Sequence, residues 1–85
     1  MKYFLYIIYS PAYNKHYIGI SDAPKRRLVE HNSCKVKSTK AYIPYNLVWT
    51  EEYADKTTAR KRELFLKRTA KERQRIYQII HGAIV

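Results

Sequence analysis

Two side chains that can handle a phosphate and a proton stand four positions apart, at Arg27 and His31 in the segment KRRLVEH. In a helix this spacing puts both side chains on one face. The planar guanidinium of arginine matches a phosphate group, and histidine can carry a proton near neutral pH. The pair is therefore a candidate for chemistry on a phosphate ester. The alternative is a solvated helix with two ordinary polar residues.

A second candidate is a carboxylate on a helical stripe that is otherwise partly apolar. The stripe, at spacing i, i+3, i+4, i+7, consists of Ala59, Arg62, Glu63 and Leu66. A carboxylate at the edge of a core needs a partner. Salt bridges are one solution, and the neighbouring cations are Arg60, Lys61, Arg62, Lys67 and Arg68. The other solution is a divalent cation such as Mg²⁺, which often takes few carboxylates beside waters and a substrate phosphate.

The stretch NKHYIGIS, residues 14–21, alternates like a strand but contains Gly19 in mid-run and Tyr17 two positions earlier. Glycine weakens a strand interior, because it packs no side chain and loses much backbone entropy. Gly19 therefore indicates either a bulge or corner, or the close approach of a large group at which Tyr17 points.

Several common sites are excluded by the residues present. Gly19 and Gly82 are the only glycines, so there is no GxGxxG and no Walker loop, and neither CxxC nor HExxH occurs. One cysteine and three histidines, scattered at positions 16, 31 and 81, do not suit a zinc site. Cys34 lies in the loop-like segment NSCKVK, a poor setting for a catalytic thiol.

The charge balance favours a polyanionic partner. Seventeen Lys and Arg residues against seven Asp and Glu residues give a net charge of +10 and a pI near 9.9. Nucleic acid is the usual candidate, with anionic membranes and acidic proteins as alternatives. Nine tyrosines supply rings that can stack on bases, although several must belong to the core.

Hydrophobic patterning predicts the elements that position these residues, beginning with a hairpin. Residues 3–9 are β-branched and aromatic and predict a strand, with Leu5 and Tyr6 on opposite faces. Pro11 and Asn14 then mark a loop of about five residues. The following segment HYIGIS returns as an antiparallel second strand.

A helix, a loop and a third strand follow the hairpin. The segment SDAPKRRLVEHN predicts a helix with Pro24 in its first turn and Asn32 at its end. The next segment, SCKVKSTKAYIP, predicts a basic loop. Residues 46–53 predict the third strand, in which Leu47, Trp49 and Tyr53 share one face.

Two further helices complete the chain. The expected N-terminal caps of the three helices are Ser21 or Asp22, then Asp55, then Thr69 with Glu72 in a capping box. Gly82 can end the last helix. The order β-β-α-β-α-α predicts an α+β fold, in which helices cover a small three-stranded antiparallel sheet.

Size and cysteine content bound the class of protein. Eighty-five residues make one domain, residues 1–85, with a modest core. The single cysteine permits no internal disulfide and is in keeping with a reducing compartment. The apolar run YFLYIIY is too short for a membrane helix, and no signal cleavage site follows it. A soluble, cytoplasmic protein without a membrane partner is therefore expected.

The candidate residues form an ordered set that resembles a known family. The set consists of Tyr6 in FLYII, YIG at residues 17–19, Arg27 and His31 in KRRLVEH, and Glu63 in ARKRELFLK. It is similar to the GIY-YIG nuclease superfamily, and in particular to its short, stand-alone bacterial members. The likeness covers residues 3–71, and its specificity lies in the ordered set rather than in any single triplet.

The resemblance implies a metal-dependent nuclease that hydrolyses DNA phosphodiesters. The implied catalytic roles are Tyr6 and Tyr17 as the motif tyrosines, Arg27 against the scissile phosphate, His31 beside it, and Glu63 as the ligand of Mg²⁺ or Mn²⁺. Gly19 leaves room for the substrate backbone. Either Tyr17 or His31 takes the proton of the attacking water, and the residues do not rank the two.

Two positions depart from the family pattern. The first motif reads FLY at residues 4–6, so only its tyrosine matches. Some relatives carry an asparagine after the glutamate helix, whereas the last asparagine here is Asn46. The first departure leaves the strand hydrogen bonds intact, and the second weakens substrate positioning.

Two functions follow from this set. The first is a metal-dependent DNA endonuclease of low sequence specificity, in DNA repair or processing, acting as a monomer or weak homodimer, with RNA as another substrate. The alternative is a non-catalytic nucleic-acid-binding module that keeps the fold. Additional substrate contacts are expected from Lys25, Arg26, Lys40 and Lys67.

Overall fold

The central strand is buried on both faces, and the sheet is built around it. The structure, a computed structural model, describes residues 2–82. Strand β1 (Tyr3–Ser10) pairs antiparallel with β2 (Lys15–Ser21) on one side and with β3 (Asn46–Tyr53) on the other. The sheet order is therefore β2-β1-β3. The hairpin loop between β1 and β2 spans residues 11–14, one residue fewer than predicted.

Three helices cover the sheet. They are α1 (Pro24–Asn32), α2 (Lys56–Arg68) and α3 (Ala70–His81). The predicted α+β class and the order β-β-α-β-α-α are confirmed. The segment predicted as a basic loop also contains a short 3-10 helix (Lys40–Tyr42). Across residues 2–82, no helix combines the length and the apolar character needed to cross a membrane.

Each face of the sheet buries its own apolar cluster, because successive side chains of β1 point to opposite sides. The cluster under α2 and α3 consists of Leu5, Ile7, Ile18, Leu66 and Ile76. The cluster on the other face consists of Tyr6, Ile8 and Tyr45, with Leu28 of α1 packed against it. Tyr6, a candidate catalytic residue, is therefore also part of the core.

A β-bulge in β3 changes which side chains share a face. Residues 7 and 8 of β1 pair with Trp49 and Leu47, so Val48 is the additional residue. Leu47 packs with the Tyr6 cluster, while Trp49 and Tyr53 pack on the opposite cluster. The prediction that these three residues share a face is wrong, because the bulge interrupts the two-residue period.

The helix ends match the prediction where the cap is local in sequence. Asp55 caps α2, accepting from the Thr58 amide at 2.8 Å, and Gly82 ends α3 with a φ of 58°. At the start of α1 the cap is Ala23, which makes no side-chain cap bond. The prediction of Ser21 or Asp22 as the cap is therefore wrong, and Ser21 Oγ instead accepts from the Ala23 amide at 2.9 Å.

The predicted capping box of α3 does not form. Thr69 occupies the cap position, but its side chain makes no capping bond. Glu72 instead pairs with Arg75 at 2.8 Å and with Arg62 at 3.4 Å. Two guanidinium partners offer the carboxylate charge-assisted bonds, which are stronger than a bond to a backbone amide.

A polar contact on the apolar side of the sheet sets the position of α2. Glu51 of β3 accepts from Arg62 Nε at 2.9 Å, from Trp49 Nε1 at 3.0 Å and from the Tyr53 hydroxyl at 2.7 Å. Burial acts to raise the pKa of Glu51, but these bonds outweigh it and leave the pKa below its ordinary value. The contact joins α2 to the sheet and so fixes the side on which Glu63 lies.

We expect Glu51→Gln to lower the free energy of unfolding at pH 7 by about 1–3 kcal/mol, because it removes a hydrogen-bonded charge beside Arg62. The pKa of Glu51 is depressed in the folded state. Its stabilisation is therefore present above the unfolded-state pKa of about 4.3 and is lost as the pH falls through the folded-state value. Urea unfolding at several pH values measures this. Glu52→Gln, which alters an exposed pair with Lys2, is the control, and an equal loss in both variants contradicts the prediction.

Candidate active site

The centre of the site is a buried chain of side chains from β1, α1 and the loop before β3. The Tyr6 hydroxyl lies 2.9 Å from His31 Nε2, and His31 Nδ1 lies 2.8 Å from Thr39 Oγ1. The exposed fractions of Tyr6, His31 and Thr39 are 1%, 0% and 1%. Water does not compete for these bonds, so each donor depends on its protein partner.

The Thr39 hydroxyl sets which atom donates and which accepts in the Tyr6–His31 and His31–Thr39 hydrogen bonds. The Thr39 hydroxyl donates to the Val36 carbonyl at 3.3 Å, which leaves its oxygen to accept from His31 Nδ1–H. Burial, together with the nearby Arg27 cation, lowers the pKa of His31 to about 4, so the ring is neutral at pH 7. A neutral ring protonated at Nδ1 carries its lone pair on Nε2. The Tyr6 hydroxyl therefore donates to His31.

Arg27 of α1 lies close enough to the Tyr6 hydroxyl to act on its pKa. Burial and Tyr17 raise this pKa and the Arg27 guanidinium opposes the rise, with a net value of about 12. Arg27 also donates to Glu30 at 2.8 Å, which holds it on α1. A guanidinium has five N–H donors, so these contacts leave donors for a phosphate.

Gly19 faces Tyr6 across the β1–β2 pair. A Cβ atom at Gly19 would lie 2.7 Å from Tyr6 Oη and 2.9 Å from Tyr6 Cζ. The sequence-based expectation was that Gly19 leaves room for substrate. In the structure the space is filled by the Tyr6 phenol, so the glycine is required by packing within the site.

Tyr17 connects the buried chain to open surface. Its ring centroid lies 4.9 Å from that of His31 and 6.3 Å from that of Tyr6. The half-buried side chain lines a cavity of about 290 Å³ together with Lys67 and Arg73. The Lys67 ammonium lies 5.9 Å from the Tyr17 ring centroid. Of the two motif tyrosines, Tyr17 is thus the one that faces a basic cavity.

Glu63 reaches the same region from α2. Its Oε2 accepts from Lys67 Nζ at 3.0 Å, and Arg60 Nη1 lies 3.5 Å from its Oε1. The salt bridges weighed from the sequence are therefore present. Oε1 is nevertheless buried and has no hydrogen-bond partner among the described residues.

The donor set at Glu63 fits a magnesium-type ion rather than a zinc-type ion. Within residues 2–82, no three His, Cys, Asp or Glu side chains come together as a metal cluster. A hard divalent cation can bind through one carboxylate, with waters and substrate phosphate as its other ligands. Glu63 Oε1, which is buried, makes no hydrogen bond among the described residues and has only the Arg60 guanidinium at 3.5 Å, supplies such a carboxylate oxygen.

Three other predicted substrate contacts lie away from the Tyr17 cavity or are already paired. Lys25 is exposed and lines a different cavity with Phe4 and Leu47. Arg26 pairs with Asp22 at 2.7 Å. Lys40 is exposed at the start of the short 3-10 helix. Of the three predicted lysines, Lys67 is the one that lies beside Glu63 and the Tyr17 ring.

Thr39 is the site residue that sequence reasoning missed. It lies in a polar, basic segment, and no spacing rule relates it to His31 eight positions earlier. Its burial arises because the loop folds back over α1. The sequence offers only a weak sign of this role, namely one β-branched residue with a hydroxyl group in a segment of lysines and serines.

This fold and this convergence of phenol, imidazole, guanidinium and carboxylate define a nuclease-superfamily domain. A model of the GIY-YIG catalytic domain matches residues 2–78, and the chain belongs to that family. The chain is 29% identical to a UPF0213 protein of Limosilactobacillus reuteri, over 95% of this chain and 86% of the relative. It is 41% identical to a UPF0213 protein of Streptococcus pneumoniae, over 62% of this chain and 54% of the relative.

A solved structure shares the fold. The solution NMR structure of a UPF0213 protein from Bacillus halodurans aligns with a TM-score of 0.56 at 25% identity, covering 93% of this chain and 85% of that one. The resemblance inferred from the ordered motif residues is confirmed by these matches.

We expect Gly19→Ala to destabilise the protein by about 1–3 kcal/mol, because the new methyl group overlaps the Tyr6 ring. Urea unfolding measures the change. In a Tyr6→Leu background the ring is absent, so the alanine should cost less. The same cost in both backgrounds would show that Tyr6 is not the group that requires the glycine.

We expect Thr39→Val to reverse the tautomer of His31. The valine removes the acceptor of Nδ1–H, so protonation at Nε2, with donation to the Tyr6 oxygen, becomes the better-satisfied arrangement. ¹⁵N NMR of the histidine ring distinguishes the two tautomers. Thr39→Ser keeps a hydroxyl and should keep the parent spectrum. An unchanged His31 tautomer in Thr39→Val contradicts the assignment.

Proposed function

We propose that this protein is a metal-dependent endonuclease that hydrolyses DNA phosphodiester bonds with low sequence specificity. The observation that carries the proposal is that Tyr17, whose ring lies beside the buried Tyr6–His31 pair, is connected through Lys67 to the Glu63 carboxylate. Arg27 shares the α1 face of His31 and acts on the Tyr6 hydroxyl. Membership of the GIY-YIG family supports a nucleic-acid substrate. The net charge of +10 favours attraction of a polyanion.

Different cations of the site would bind different phosphates of the substrate. Arg27, held beside Tyr6, can donate two bonds to the scissile phosphate and stabilise the charge that develops on it. Lys67 and Arg73 line the cavity next to Tyr17 and can bind neighbouring phosphates. Such contacts are made to the backbone rather than to base edges, which is why we propose low sequence specificity.

We place Tyr17 against the attacking water. Its side chain lines the open cavity, whereas His31 is fully buried and its Nε2 lone pair already accepts from Tyr6. His31 therefore acts as a positioning residue, which holds the Tyr6 proton away from Arg27. In the reaction, the water oxygen bonds to phosphorus as the bond to the leaving oxygen breaks. The water gives its proton to the Tyr17 oxygen, which acts as the general base, and the leaving oxygen takes up a proton from solvent.

Glu63 is the residue that would hold Mg²⁺ or Mn²⁺. Its Oε1 can coordinate a cation without giving up a hydrogen bond, since none is made to it within residues 2–82, while Oε2 stays with Lys67. When bound, such an ion polarises the phosphate and stabilises the leaving oxygen. Lys67 then lies between the carboxylate and the Tyr17 ring, where it positions both.

One observation favours a second function, a nucleic-acid-binding module without catalysis. Both catalytic charges already have protein partners, because Arg27 pairs with Glu30 and Glu63 pairs with Lys67 and Arg60. If these pairs persist on DNA, the domain binds phosphates without cutting. We therefore rank it second and separate the two functions with one variant.

A low-specificity endonuclease would serve DNA repair or processing, acting as a monomer or a weak homodimer that cuts one strand per encounter.

The test is nicking of supercoiled plasmid with Mg²⁺ or Mn²⁺, with and without chelator. We expect chelator to abolish nicking and Glu63→Gln to lower its rate by about 100-fold or more, because the ion loses its carboxylate. DNA binding in a gel shift should survive in that variant. The matched control is Glu52→Gln, which removes an exposed carboxylate on β3 and should cut at the parent rate.

Two results would decide against catalysis by this site. Equal nicking by the parent and Glu63→Gln contradicts the assignment of Glu63. Salt-sensitive binding by the parent with no metal-dependent nicking supports the binding module instead.

A further inference from the structure

Two of the three histidines, far apart in sequence, meet on the surface near the loop end of the β1–β2 hairpin. His16 Nε2 of β2 lies 2.8 Å from His81 Nε2 at the end of α3. The sequence suggested that the histidines are too scattered for a metal site. The fold changes this, because α3 runs back across the sheet and ends beside β2.

The two imidazoles are held in place by aromatic rings. His16 stacks on Tyr77, with ring centroids 3.8 Å apart and an interplanar angle of 11°. The Tyr9 ring lies 4.7 Å from His16 and 4.4 Å from His81. The Tyr9 hydroxyl is fixed in turn by a bond to Asn14 Oδ1 at 2.9 Å. His16 is therefore the more firmly held of the two rings, and the exposed His81 ring faces it.

We propose that His16 and His81 form a binding site for a divalent transition-metal cation of the zinc and copper type. Neutral imidazole nitrogen is a preferred ligand of these ions. Two imidazoles on a tetrahedral Zn²⁺, at about 2.0–2.1 Å from the ion, have their nitrogens about 3.3 Å apart. The observed 2.8 Å is close to this separation, and His81 is exposed and free to move by the difference.

The surroundings can supply the remaining ligands. The pair opens onto a cavity of about 360 Å³ whose other lining residues include Asn14, Gln74 and Gln78. Waters and amide oxygens can complete the coordination there. The described residues bring no third His, Cys, Asp or Glu to this point, so the ion keeps open positions for an exogenous ligand.

This site is distinct from Glu63 in position and in chemistry. Its ligands are nitrogens suited to zinc or copper, whereas the Glu63 oxygen suits magnesium or manganese. A bound ion would join the last turn of α3 to β2. His16 and Tyr77 also line the cavity that Tyr17 faces, so the ion would stiffen one wall of the candidate active site.

The test is calorimetric titration of the full chain with ZnCl₂, without an affinity tag and in a Cys34→Ser background, because the exposed thiol binds zinc by itself. We expect one ion per chain and a higher Tm with zinc, since the site exists only in the folded protein. His16→Gln and His81→Gln should each weaken binding by about tenfold or more. The matched control, Glu63→Gln, should bind zinc as the background protein does.

A spectroscopic measurement covers the case in which a histidine variant folds poorly. Electron paramagnetic resonance of the Cu²⁺-loaded background protein should show nitrogen hyperfine coupling from two imidazoles. The proposal is overturned, leaving a hydrogen-bonded pair only, if the background protein binds no zinc or if both histidine variants bind zinc as tightly as the background protein does. Loss of zinc binding in Glu63→Gln alone also overturns it. None of these outcomes depends on nicking, so the nuclease proposal stands or falls separately.

Discussion

The buried Tyr6 hydroxyl, bonded to His31, constrains the rest of this small molecule. Its bond to His31 joins the central strand to α1, and the next bond, to Thr39, joins α1 to the loop before β3. A buried donor without a partner costs about 1–3 kcal/mol, a large fraction of the stability of a domain this size. The chain can therefore satisfy these groups in only one arrangement, and that arrangement also sets the geometry of the candidate site. Gly19 belongs to the same constraint, because any side chain there would displace the Tyr6 ring.

Charge is organised differently near the site and away from it. The cations that would act on substrate are held by carboxylates, Arg27 by Glu30 and Lys67 by Glu63. Such pairing orients a flexible side chain and leaves further donors for phosphate. Exposed lysines elsewhere, including Lys25 and Lys40, contribute to the long-range field instead. The excess of positive charge is of the sign that attracts a polyanion, and in the proposed function a few fixed cations would position it.

The last helix connects the candidate active site with the proposed histidine site. Arg73 donates to the final carbonyls of α2, those of Leu66 and Lys67, at 2.8 and 3.0 Å, and so fixes the turn between the helices. Farther along, Tyr77 stacks on His16 and forms a wall shared by the Tyr17 cavity and the histidine cavity. His16 and Tyr77 both line the two cavities, so the cavities share a wall.

Residue order and spacing by themselves determined the features that depend on near neighbours. These are the succession β-β-α-β-α-α, the Asp55 cap, the glycine stop of α3, and the placement of Glu63 on the same buried stripe as Ala59 and Leu66. The ordered motif residues also identified the family. Only the tertiary structure decided that a bulge turns Leu47 to the other face, that arginines replace the capping box, that Thr39 orients His31, and that His16 meets His81. The physical reason is the same each time: backbone periodicity is local, whereas a polar side chain bonds to whichever group packing brings within about 3 Å, however distant in sequence.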